Sequence, residues 1–239
     1  MDDSDLFALH QRQPTASRPL LGLTILVVED SRYASEAMRL LCLRSGARIR
    51  RADSLRAARR HLQVYRPSVI IVDLGLPDGS GLDLIAELNH ASPRVAVLLA
   101  NSGDDGAEDA ALNAGADGFL AKPIRALSVF QEAVLSRLPA DRRPPGPRQI
   151  AEDEVDPDPM AFRDDMAHAA EVLTDARDGK MLDYAAQFLN GVAISAQDDT
   201  LAQAARQLAD IRTKGGPVTA HAARVAGLVQ DRLQKKWAM

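Results

Sequence analysis

The chain has 239 residues, a formal net charge of −4, 46% hydrophobic and 26% charged residues, and a single cysteine, Cys42. That length suits one large domain or two small ones. The acidic balance argues against a dedicated nucleic-acid binder, whose phosphate contacts need an excess of Lys and Arg, and one cysteine excludes an internal disulfide.

Residues 1–19 are acidic and then polar, with Pro14 and Pro19, and read as a tail. They lack the basic start and apolar stretch of a signal peptide. No apolar run approaches the ~18 residues of a membrane span, so the expected location is the cytoplasm and no membrane partner is expected. Residues 20–138 alternate short apolar runs with helix-like segments. Strands are expected over 24–30 (TILVVED), 47–52, 68–74 (SVIIVDL), 94–100 (RVAVLLA) and 118–123, and helices over 32–44, 54–65, 81–89, 105–113 and 126–138. Ala34, Ala37, Met38, Leu41 and Cys42 fall on one helical face, which makes Cys42 a buried thiol. Strands that alternate with helices imply βαβ units, and runs such as ILVV and VIIV suit strands buried on both faces. The predicted fold class is α/β, a doubly wound five-stranded parallel sheet in the order 2-1-3-4-5, followed by an all-α bundle.

Residues 139–159 hold six of the thirteen prolines and the acidic run AEDEVD, and read as a linker. Residues 160–239 lack β-branched runs and contain four amphipathic helical patterns with apolar faces such as Phe162, Met166, Ala169, Ala170 and Leu173. Short turns between them suggest an antiparallel bundle. Its ten basic and ten acidic residues cancel, and no Gly-rich nucleotide loop is present. Arg224, Arg232, Lys235 and Lys236 read as a solvated helix terminus. His168 and His221 read as surface histidines. The Ala-rich faces fit packing within the chain or pairing into a homodimer.

Chemistry in an open parallel sheet collects at the C-terminal strand ends. Here these ends carry Glu29, Asp30, Asp73, residues 100–102 and Lys122. Three converging carboxylates repel each other; one lysine and a divalent cation would balance them, and hard oxygen ligands suit Mg2+. Such a pocket could take a phosphoryl group on a carboxylate, with the cation and the lysine stabilising its oxygens.

In order and spacing, the pair Glu29-Asp30, the segment DLGLPDGSG with Asp73, Pro77 and Gly81, the segment GADGF and the pair Lys122-Pro123 resemble a response-regulator receiver domain over about residues 20–138. The resemblance implies that Asp73 is the phospho-acceptor. It implies that Glu29, Asp30, Asp73 and the backbone carbonyl of Gly75 bind Mg2+, that Lys122 contacts the phosphate through a cis Lys122-Pro123 bond, and that Phe119 is the aromatic switch. The family places a Thr or Ser at the end of the fourth strand. Ungapped counting puts Ala100 there, with Ser102 two residues on, so the switch hydroxyl is either Ser102 or missing. A fainter resemblance links residues 187–210 to histidine-phosphotransfer domains, with Gln187 at the place of the phosphorylated His and Asn190 at that of a Lys. Gln cannot form a phosphoramidate, so this implies a degenerate phosphotransfer position.

The resulting expectation is a non-enzymatic, cytoplasmic two-component response regulator. Its donor would be a sensor histidine kinase or histidine-phosphotransfer protein, and its output a downstream protein bound through the bundle. Phosphorylation would bias residues 105–138 between two arrangements. A DNA-binding transcriptional regulator and a phosphorelay intermediate are the alternatives.

Overall fold

Five strands order the first half: β1 (Thr24–Val28), β2 (Arg48–Ala52), β3 (Val69–Asp73), β4 (Val97–Ser102) and β5 (Gly118–Ala121). In the computed structural model, which describes residues 13–144, 153–175 and 179–235, they form one sheet of order β2-β1-β3-β4-β5. All four pairings are parallel. Helices α1 (Arg32–Arg44), α2 (Leu55–Val64), α3 (Gly81–Asn89) and α4 (Glu108–Ala114) make the four crossovers, and α5 (Leu127–Leu135) follows the last strand. Alternate strand residues point to opposite faces. Ile25, Val27, Val69, Ile71, Val97 and Leu99 pack with Met38 and Leu41 of α1 and Phe130 and Val134 of α5. Leu26, Val28, Ile70, Val72, Leu98 and Ala100 pack with Ala58 of α2, Leu84 and Ile85 of α3 and Ala111 of α4. The doubly wound α/β sheet is the one the sequence implies.

The first three helices start at side-chain oxygens that satisfy the unpaired amides of the first turn, whereas α4 and α5 have no side-chain cap. Ser31, Ser54 and Ser80 cap α1, α2 and α3 by accepting from the amides of Ala34, Ala57 and Leu82. Asp78, in the loop after β3, adds a second cap by accepting from the amides of Leu55 and Arg56 at 2.8 and 2.9 Å.

Several expected boundaries shift, two of them for reasons visible in the contacts. β4 begins at Val97, three residues later than expected, and continues through the polar Asn101 and Ser102. Its start is set by Arg94, whose guanidinium leaves the strand line to pair with Asp117 at 2.9 Å and to donate to the carbonyl of Gly115. Its end is set by backbone register: Asn101 pairs with both Asp73 and Leu120. The helix expected over 105–113 starts as a 3-10 turn, Asp105–Ala107, and becomes α-helical only at Glu108.

The stretch read as a linker is packed where it is described. The amide of Leu127 donates to the carbonyl of Asp153, and that of Val155 to the carbonyl of Arg125. Val155 is 0% exposed inside the α1/α5 core. The guanidinium of Arg125 holds Asp156 at 3.1 Å. This strap is a fixed part of the sheet domain, because an apolar side chain and two backbone bonds inside an acidic, proline-rich run outweigh what composition suggests. Residues 1–12 of the expected tail, 145–152 of the expected linker and Lys236 lie outside the described residues.

The second half is four helices: α6 (Pro159–Asp175), α7 (Gly179–Ser195), α8 (Asp199–Thr213) and α9 (Thr219–Gln234). Pro159 stands at the first helical position, where its missing N–H costs nothing. Asp198 caps α8 through the amide of Leu201 and is clamped by Arg232 of α9 at 2.8 Å. Phe162, Met166, Leu189, Val192, Leu201, Leu208, Val225 and Val229 form the bundle core. Tyr33 of α1 joins this core, its ring edge-on to Phe162 with centroids 5.8 Å apart. The bundle therefore packs directly against the sheet domain.

Candidate functional site

The crevice at the C-terminal ends of β1 and β3 gathers the residues singled out by sequence. One carboxylate oxygen each of Glu29, Asp30 and Asp73 lie within 4.8 Å of one another. The ammonium of buried Lys122, just after β5, lies 2.8 Å from Glu29 Oε2 and 3.2 Å from Asp73 Oδ2. The Lys122–Pro123 peptide is cis. Asp73 is 7% exposed. Glu29 is tied on both oxygens: the amide of Ser31 donates to Oε1, and Asn101 Nδ2 joins Lys122 at Oε2.

Electrostatics follow from this crowding. Burial, and next the charge of Asp73, push the Glu29 carboxyl well above its ordinary value. The same two causes, in that order, raise Asp30 from 3.8 to about 7, partly opposed by a hydrogen bond from Tyr184. Burial would lower Lys122, yet the carboxylates of Asp73 and Glu29 outweigh it and raise the ammonium above its usual range. Fully ionised, three carboxylates against one ammonium would leave two negative charges uncompensated, and the donors are hard oxygens. The residues present thus fit a small divalent cation.

The far wall of the cleft is the bundle. The phenol of Tyr184 donates to Asp30 Oδ2 at 2.8 Å. Gln187 lies over Gly75, where an added Cβ would stand 2.6 Å from its Nε2. Gln187, Asn190, Gly191, Arg206, Asp210 and Thr213 line the cleft together with Glu29, Asp30, Asp73, Gly75, Ser102 and Lys122, around a cavity of about 530 Å³. Ser102 lines this cavity, whereas Ala100 is wholly buried among the apolar residues on the α3 side of the sheet. Phe119 is half-buried against that same apolar cluster and is not on the cleft wall.

Sequence reading missed Asp165. It is 2% exposed on α6 and accepts from Ser31 Oγ at 2.7 Å, the amide of Arg32 at 2.8 Å and the amide of Tyr33 at 3.0 Å. A carboxylate from the bundle thereby caps the first turn of α1, directly beside Asp30. Burial pushes its carboxyl up, against those three hydrogen bonds. The signal was available: Asp165 interrupts an apolar stripe, between Phe162 and Met166. Tyr184 was also missed, as was the contact of Asn101 with Glu29. His168 is exposed beside the Tyr184 and Phe188 rings, and the Cys42 thiol is buried, its pKa raised to about 12. Among the described residues, no helix is long and apolar enough to cross a membrane.

Residues 25–134 match the family model described as the response regulator receiver domain. The KDP operon transcriptional regulatory protein KdpE of Escherichia coli is 34% identical over 99 residues, 41% of this chain and 44% of that protein. The virulence transcriptional regulatory protein PhoP of Salmonella typhimurium is 32% identical over 120 residues, 49% of this chain and 51% of that protein. The chain thus spans about half the length of the curated relatives it matches. Among solved structures, the signal receiver domain of a signal transduction histidine kinase from Syntrophus aciditrophicus superposes with a TM-score of 0.43 at 27% identity, covering 48% of this chain and 90% of that one. With the acidic crevice, the cis Lys122–Pro123 peptide and the sheet order already in place, the family match identifies residues 25–134 as a response regulator receiver domain of two-component signalling.

Proposed function

We propose that this chain is a cytoplasmic two-component signalling protein that takes a phosphoryl group from a phosphohistidine onto Asp73. The supporting observation is the placement of the Asp73 carboxylate 3.2 Å from the Lys122 ammonium, with Glu29 and Asp30 beside it. In this reading Asp30, Asp73 and the carbonyl of Gly75 hold Mg2+, with Glu29 adding charge behind them. Magnesium, when bound, supplies positive charge that offsets the carboxylates and the incoming phosphoryl oxygens.

The chain's own residues do the rest. An Asp73 oxygen attacks phosphorus in line with the departing imidazole nitrogen. Lys122, held by Glu29, keeps one ammonium proton directed at the phosphoryl oxygen, and its burial strengthens that contact. Ser102, on the cleft wall, is the switch hydroxyl; its Oγ accepts from the amide of Asp104 at 3.1 Å, so its rotation towards a phosphoryl group also moves the loop that follows β4. That motion, with Phe119 behind it, biases residues 105–138. The chain turns over no substrate beyond gaining and losing this phosphoryl group, and the bundle is its protein-interaction module.

Incubation with labelled acetyl phosphate and Mg2+ should give a base-labile acyl phosphate that is absent in Asp73→Asn. Equal labelling of that variant would overturn the assignment. A second reading, transcriptional control, is favoured by the names of KdpE and PhoP. It requires a salt-dependent shift with duplex DNA, and the absence of one would remove it.

A further inference from the structure

Tyr184, Gln187, Gly191 and Ile194 fall on one face of α7, and each meets the rim of the acidic pocket. Tyr184 bonds Asp30, Gln187 covers Gly75, Gly191 lies beside Lys122 Nζ and Ile194 packs on Gly103. This face carries no charge; it offers a phenol and an amide as donors to a pocket of carboxylates. Asp165 and the Tyr33–Phe162 contact hold the same bundle on α1 from the side.

We propose that α7 occupies, within its own chain, the surface on which a phosphohistidine-bearing helix must dock to reach Asp73, with Gln187 standing where the donor imidazole would stand. The inference rests on Asp73 being the phosphoryl acceptor. In-line transfer requires the leaving nitrogen on the far side of phosphorus from the Asp73 oxygen, and the far side of this cleft is α7. Gln187 carries a side-chain nitrogen about as far from the backbone as a histidine does, but its amide neither accepts nor donates a phosphoryl group. A helix presenting phosphohistidine cannot share the place of α7, so it reaches Asp73 only after α7 leaves. Acetyl phosphate is small enough for the cavity and needs no such exchange. The partner that this surface fits is a helical phosphohistidine domain, and α7 is its built-in competitor.

The test converts the stand-in into an acceptor. In the Gln187→His variant of this 239-residue chain, labelled acetyl phosphate and Mg2+ first place phosphate on Asp73 with loss of acetate. The introduced imidazole nitrogen then attacks phosphorus, the bond to the Asp73 oxygen breaks, the carboxylate is regenerated and the ring proton passes to solvent. The expected result is a base-stable, acid-labile label at position 187, absent from the parent and from Gln187→His/Asp73→Asn. It should also be absent when that double variant is mixed with labelled parent, since transfer is within one chain. Gly103→Cys/Ile194→Cys supplies a lock: the two Cβ positions lie 3.7 Å apart, suited to a disulfide. Combined with Gln187→His, the oxidised lock should retain the transfer. Base-labile label on Asp73 without any label at 187, or transfer lost on locking, would overturn the proposal while leaving Asp73 as acceptor. No label on Asp73 in the parent would overturn both.

Discussion

Replacing Asp165 with alanine tests how the two halves are joined. The carboxylate receives three hydrogen bonds from the first turn of α1. Bonds to an ionised acceptor contribute about 1.5–3 kcal/mol each when taken singly. The sum is reduced because Ser31 Oγ still caps the amide of Ala34 and because burying the carboxylate carries a desolvation cost. A net loss of about 2–4 kcal/mol remains, the range found when a buried charged hydrogen-bond partner is removed. Hydrogen exchange at the amides of Arg32 and Tyr33 reads this locally. Their protection should fall about 30- to 700-fold, at tenfold per 1.4 kcal/mol. The neighbouring Asp164→Ala is the control. Asp164 pairs with Arg32 at 2.7 Å, but the side chains are 47% and 71% exposed, and such pairs contribute about 0–1 kcal/mol. If Asp165→Ala leaves the protection of Arg32 and Tyr33 as close to the parent as Asp164→Ala does, α6 does not cap α1 and the reasoning fails.

Three further outcomes are expected. Lys122→Met removes the ammonium that pairs with the carboxylate cluster and should cost about 3–5 kcal/mol near neutral pH, with a smaller loss in acid as Glu29 takes up a proton; an equal loss at both pH values would count against the pairing. In chelator, the folded chain keeps a proton on Asp30, raised to about 7 from 3.8, that the unfolded chain has already released. Stability contributed by Asp30 should therefore fall from about pH 4 to about pH 7, read as the difference between parent and Asp30→Asn in denaturant titrations; a difference that rises across this window would contradict the sign. Val155→Ala should cost about 1.5–3 kcal/mol by loss of buried methyl groups, whereas a true linker residue would cost less than about 0.5 kcal/mol.

The receiver half was legible because each of its signals is local. Apolar runs mark the strands, helical spacing such as that of Ala34, Ala37, Met38 and Leu41 marks the helices, and the order Glu29-Asp30, Asp73, Lys122 marks one rim of the sheet. The four bundle helices were legible as amphipathic periodicity. The relation between the two halves was not. Val155, Asp165 and Tyr184 act through partners far away in sequence; the break that Asp165 makes in an apolar stripe marks it as unusual, but nothing local says which helix, well over a hundred residues earlier, it caps. That Ser102 and not Ala100 lines the cleft needed backbone register, since ungapped counting says nothing about where the strand ends or which side chain reaches the cleft.

The strap around Val155 also sets how hard the bundle is to displace. Because the chain is pinned to the receiver at Val155 and Asp156 and re-enters helix at Pro159, the bundle begins only a few residues from an anchor. A short tether of this kind holds its ligand at an effective concentration in the millimolar range. A phosphodonor present at micromolar level thus competes at a disadvantage of about a thousandfold before any difference in intrinsic affinity. A donor that succeeds must bind the receiver far more tightly than α7 does, or must first engage the bundle itself, so the strap makes selectivity among donors a property of chain connectivity as much as of contact chemistry.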